Sequence, residues 1–149
     1  MLTDKVVLLD AAMPDKETAL ATVADNLLAS GAVKESYKPA LLQREIEFPT
    51  GLATENIGIA MPHTDAEHVN YDQIGFMRLA EPVTFQQMGD GQEIQAKFIF
   101  MLALKEAHAQ LDMLQKLVAL IQDADKMAAL AQAADADAVI AILAEAGIA

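Results

Sequence analysis

The spacing of apolar residues changes period along this chain, from helical to strand-like and back, and that change points to a layered α/β fold. Near the N-terminus Ala19, Val23, Leu27 and Leu28 recur at helical spacing from Asp15, and Ser30-Gly31 supplies a stop signal. A second helical stretch has Ser36 as its N-cap, Pro39 in its first turn, and Leu41, Leu42 and Ile46 on helical spacing as far as Phe48-Pro49. After the turn residues Pro49-Thr50-Gly51 the middle of the chain switches to short apolar runs, Ile57 to Met61, Ile74 to Leu79 and Ile94 to Leu104, which read as strands. Val83 and Phe85 alternate ahead of the turn Met88-Gly89-Asp90-Gly91-Gln92, so a hairpin is expected there. From His108, the residues Leu111, Leu114, Val118 and Ile121 trace one apolar helical face; Met127 to Ala133 and Ala136 to Ala146 follow, and Gly147 ends the last helix. Val6 to Leu9 is either a short first strand or an extended lead-in. The economical architecture is a three-layer sandwich, a mixed β-sheet flanked by helices on both faces, in a single domain over residues 1–149.

Charge and composition remove several functions. A formal net charge of −12 disfavours long-range attraction to nucleic acid or anionic lipid. The chain has no cysteine, which removes disulfides, thiolate zinc sites and thiol nucleophiles together. No segment approaches the roughly 20 apolar residues of a membrane span. Met1 to Lys5 lacks the basic and apolar regions of a leader, so a soluble cytoplasmic protein without membrane insertion is expected.

The segment from Asn56 to Asp65 carries most of the chemistry. An apolar run there stops at Pro62, which cannot donate to a sheet ladder, and His63 follows at once, at the expected rim of the sheet. A neutral imidazole in that position is a nucleophile, a base or a metal ligand. It is equally a turn residue bonded to backbone. A metal site from His63, Asp65, Glu67 and His68 has the wrong spacing, because the two histidines are five apart behind a proline rather than four apart on one helix face. Ser30 and Ser36 lack a nucleophile-elbow context, and no glycine-rich phosphate loop is present. His108 lies where a strand gives way to a helix, a common place for a ligand crevice and also for a solvated capping residue. Arg44 is either a solvated helix residue or an anion-orienting group. Thr64 and Asp65 are either turn residues or the hydroxyl donor and the acceptor around a modified imidazole.

Ile57-Gly58-Ile59-Ala60-Met61-Pro62-His63 resembles the active-site segment of the enzyme IIA domains of the mannitol and fructose class in the bacterial sugar phosphotransferase system (PTS). The resemblance extends to Gln43-Arg44 late in the second helix and to His108 opening a helix with Leu111, Leu114 and Leu117. The commonest members of that class place a glycine after the active histidine. Thr64-Asp65 stands there instead and, with Phe48-Pro49-Thr50-Gly51-Leu52, looks more like the galactitol branch. The resemblance implies a phosphocarrier without a cofactor, in which His63 is phosphorylated by HPr through Nε2 and passes the group to a cysteine of enzyme IIB, driving polyol uptake through the membrane component IIC. It further implies that Arg44 and His108 serve the phosphoryl group, with Thr64 and Asp65 in support. A chain without cysteine cannot supply the phosphocysteine step itself. A regulatory, nitrogen-PTS-like phosphoprotein of the same fold would use the same His63 chemistry; a metal-dependent hydrolase is the reading from a different class.

Overall fold

The computed structural model describes residues 6–54 and 57–148, so Met1 to Lys5, where the absence of a leader was read, and Asn56 lie outside the described residues. Its elements in chain order are β1 (Val7–Ala11), α1 (Lys16–Ala29), α2 (Tyr37–Glu47), β2 (Gly51–Leu52), β3 (Gly58–Ala60), a 3₁₀ turn (Ala66–His68), β4 (Gln73–Gln86), β5 (Glu93–Ala103), α3 (Ala107–Ile121), α4 (Ala124–Gln132) and α5 (Ala136–Glu145). Among the described residues the sheet runs β1-β4-β5-β3-β2. The β1/β4 and β3/β5 pairs are parallel and the β4/β5 and β2/β3 pairs antiparallel, which makes the sheet mixed. No helix among the described residues is long and apolar enough to cross a membrane.

Strand alternation shows how the sheet is covered. Residues Gln73 to Leu79 of β4 are buried without a break, as in a strand packed on both faces. On one face stands Gly75, where a Cβ would come within 2.6 Å of Val23 in α1, so α1 rests directly on the strand's backbone. The neighbouring positions point the other way. There Phe76 packs on Phe98 and Phe100, with ring centroids 5.6 and 5.1 Å away, and Arg78 reaches the carbonyls that end α4. Helices therefore lie on both faces.

Local chemistry explains the helix starts. Asp15, Asp123 and Asp135 each accept a hydrogen bond from the backbone N–H three residues on, capping α1, α4 and α5. Ser36 stands at the start of α2 as expected, but its hydroxyl makes no cap; it bonds His68 Nδ1 at 2.8 Å instead. Two strand readings also need revision. Gly51, read as the last of the turn residues Pro49-Thr50-Gly51, instead opens an edge strand with Leu52 that pairs with Ala60 and Ile59, because Thr50 and Met88 hold that segment against the sheet. β4 does not stop at Leu79: the register shifts between Arg78 and Val83, which places Pro82 at a bulge, and the strand continues through Val83 and Phe85.

Candidate functional site

β3 and β5 run parallel, and their carboxyl ends, together with the start of α3, form the edge where His63 sits. Gly58 lets β3 approach this closely, since a Cβ there would be 2.3 Å from the Gln95 carbonyl oxygen. Pro62 interrupts the ladder only as a donor. Its carbonyl accepts from the Leu102 N–H at 2.9 Å, and His63 forms an isolated parallel bridge with Leu102. The Leu102 carbonyl in turn accepts from the buried Tyr37 hydroxyl at 2.7 Å. One residue of β5 thus ties α2 to the Pro62-His63 peptide.

The His63 ring is half-buried, and its Nδ1 lies 2.9 Å from the Met61 carbonyl oxygen. A carbonyl only accepts, so Nδ1 carries the proton and Nε2 keeps its lone pair. Burial pushes the imidazole below its ordinary pKa; the Met61 carbonyl opposes this, the Arg44 charge adds to it and Asp65 opposes it. Burial thus favours the neutral imidazole, in which Nε2 keeps its lone pair.

Arg44, late in α2, leans on Phe48 with its guanidinium carbon 5.2 Å from the ring centroid. Its Nη1 is 3.9 Å from Asp65 Oδ1, an ion pair too long to be a hydrogen bond. Its Nε is buried and has no acceptor among the described residues. The guanidinium thus has donor capacity to spare beside the imidazole. Thr64 is only 5% exposed, and its carbonyl accepts from Gln110 Nε2 at 3.2 Å, which brings the first turns of α3 against the His63 loop. His108, on the first turn of α3, is exposed and makes no hydrogen bond or ion pair among the described residues. No side chain caps the N-terminus of α3.

His68 is drawn away from this group. Besides the bond to Ser36 it lies 3.7 Å from Glu67, and it braces the 3₁₀ turn against α2. Among the described residues no cluster of three or more histidines and carboxylates could hold a metal ion. Two buried charged residues escaped the reading of the sequence. Glu45, next to Arg44, is 3% exposed and accepts two bonds from Thr50; Arg78 pairs with Asp10 on the far half of the sheet. A signal for Glu45 was available, because it falls on the apolar phase of α2 with Leu41. Nothing in the local pattern of β4 marks Arg78.

Residues 1–146 match the family described as "Phosphoenolpyruvate-dependent sugar phosphotransferase system, EIIA 2". The galactitol-specific EIIA component of the PTS of Escherichia coli strain K12 is 32% identical over 111 residues, which is 74% of this chain and 74% of that protein. Among solved structures, IIA mannitol from E. coli superposes with a TM-score of 0.79 at 25% identity, over 96% of this chain and 99% of that one. The E. coli complex of enzyme IIA and phosphorylated enzyme IIB for mannitol matches with a TM-score of 0.79 at 24% identity, over 97% of this chain and 99% of the matched chain, a likeness of fold.

Proposed function

Because the chain belongs to the EIIA 2 family of the phosphoenolpyruvate-dependent sugar phosphotransferase system, and is thus a phosphotransferase component, we propose that His63 is its phosphoryl-carrying residue. It takes the group from the phosphohistidine of HPr and gives it to a cysteine of enzyme IIB, in the uptake through IIC of a polyol such as galactitol. The observation that supports this reading is the Nδ1 bond from His63 to the Met61 carbonyl, which leaves Nε2 as the attacking atom. The 32% identity to a galactitol-specific EIIA component supports the choice of polyol, and the structural match to a IIA chain solved with phosphorylated IIB supports the acceptor.

In the first step the Nε2 lone pair attacks phosphorus in line, a new N–P bond forms, and the N–P bond to the HPr imidazole breaks with its electron pair returning to that ring. In the second, a thiolate of IIB attacks, an S–P bond forms, and the pair of the broken N–P bond returns to Nε2. Such transfers ask the protein mainly for alignment and for donors on the equatorial oxygens. In this reading Arg44, with its unpaired Nε, and His108, at the uncapped mouth of α3, supply those donors. Thr64 and Asp65 hold the loop that presents the ring. The phosphoryl group adds about −1.5 to −2 charge beside Asp65, which favours passing it on.

Incubation with phosphoenolpyruvate, enzyme I and HPr, followed by intact mass and site mapping, tests the proposal. The expected result is one acid-labile phosphate on His63, transferable to a galactitol IIB. Labelling retained in His63→Ala would overturn the assignment, and a His63 phosphate that no IIB cysteine accepts would favour the regulatory reading.

A further inference from the structure

A buried carboxylate stands three hydrogen-bonded links behind His63. Glu45 Oε2 accepts from the Thr50 N–H at 2.9 Å, and Glu45 Oε1 accepts from the Thr50 hydroxyl at 2.7 Å. The Thr50 carbonyl accepts from the Met61 N–H at 3.2 Å, and the Met61 carbonyl holds His63 Nδ1 at 2.9 Å. Glu45 and Thr50 are each only 3% exposed. An ionisable side chain is costly in such a place unless its lone pairs are filled. Here both oxygens are committed to a single residue, and burial nevertheless pushes the carboxyl above its ordinary pKa. Thr50 lies just ahead of the two-residue edge strand β2, whose Gly51 pairs with Ala60 on one side and with Gln87 on the other, so Glu45 shares with those pairings the task of placing the Thr50 carbonyl.

We infer that Glu45 is a positioning residue for phosphoryl transfer: by gripping Thr50 at its backbone N–H and its hydroxyl it helps to fix Met61, and through the Met61 carbonyl it holds His63 in the Nδ1–H form with Nε2 free. The links belong to different peptide units, so what passes along them is geometry. If the Met61 carbonyl turns away, Nδ1 loses its acceptor and the ring is free to carry its proton on Nε2, the form that cannot attack. Arg44 and Glu45 thus divide the work of adjacent positions of α2, one facing the anion and one facing the backbone that orients the nucleophile. The inference rests on the reading of His63 as the phosphoryl acceptor.

The test combines ring ¹⁵N shifts of His63 in the unphosphorylated protein with the rate of phosphoryl acceptance from phospho-HPr. The wild type should show the Nδ1–H tautomer. Glu45→Ala should shift the ring toward Nε2–H and slow acceptance about tenfold, the scale of a small misplacement of a reacting atom. Glu45→Gln keeps the volume and one acceptor oxygen, so it should fold and show the same changes at about threefold. A folded Glu45→Gln protein with the wild-type tautomer and rate overturns the inference, whether or not Glu45→Ala folds. Absence of phosphate on wild-type His63 would instead defeat the functional reading, while the tautomer measurement still judges Glu45.

Discussion

Two arginines of this protein should behave oppositely when each is replaced by methionine. Arg78 is almost fully buried: Nε and Nη2 donate to the two oxygens of Asp10, each at 3.1 Å, and Nη1 donates to the carbonyls of Leu130 at 3.0 Å and Ala133 at 2.8 Å. Arg78→Met keeps much of the apolar stem but leaves two buried carbonyls without that donor, at about 1–3 kcal/mol each. Asp10 is exposed, regains water, and adds little. The sum is about 2–6 kcal/mol, which for a chain of this length lowers Tm by about 4 °C at the least. Arg78 pairs with Phe98, whereas His63 bridges Leu102, four residues along β5 and so about 13 Å away at roughly 3.3 Å per residue. Phosphoryl acceptance from HPr, read by intact mass well below Tm, should therefore be unchanged. Arg44→Met should do the reverse, with Tm nearly constant and acceptance slowed. A Tm drop under about 2 °C for Arg78→Met, or a slowed rate in the folded variant, would refute this division of roles. Acid should reveal the same link: Arg78 holds the Asp10 carboxyl below its ordinary pKa, so that contribution is complete above about pH 4 and disappears as pH falls through the folded-state value.

The His63 imidazole should titrate below about 6.5 in an NMR pH series, because burial disfavours its charged form, and Asp65→Asn should lower it further. With the folded-state value below the unfolded one, His63 destabilises the fold increasingly as pH falls from about 6.5 to its folded pKa, and that loss is complete and constant below it; titration at or above 6.5 would contradict the buried, carbonyl-bonded ring. His108→Ala should fold normally, since the exposed ring makes no hydrogen bond or ion pair among the described residues, and should still accept phosphate but deliver it poorly to IIB. Unchanged delivery kinetics would remove His108 from the site.

The helices were legible because each has its own period, but the first turn of α4, Ala124 to Lys126 behind the Asp123 cap, lies ahead of the Met127 at which the reading began. β3, β5 and the first half of β4 were legible as apolar runs of strand length. β2 was not, because a two-residue strand has no period to read and exists only where Gly51 and Leu52 meet Ala60 and Ile59. The extension of β4 was hidden by Pro82, which argues against a strand until a bulge accommodates it. Ser36 has the right residue type for a cap, yet a histidine 32 positions away took its hydroxyl.

By itself the sequence determined what depends on near neighbours: the alternation of helix and strand, the proline that ends β3 and the histidine behind it, and the exclusion of cysteine chemistry. These follow from backbone periods and residue chemistry that do not depend on where the chain later turns. Tertiary structure alone decided what the polar groups bind. It chose the His63 tautomer through the Met61 carbonyl, set Arg44 near Asp65 with Nε unpaired, buried Glu45 against Thr50, and joined Arg78 to Asp10 and the end of α4. Hydrogen bonds and burial depend on distances of a few ångströms between segments remote in the chain, and no local pattern encodes those distances.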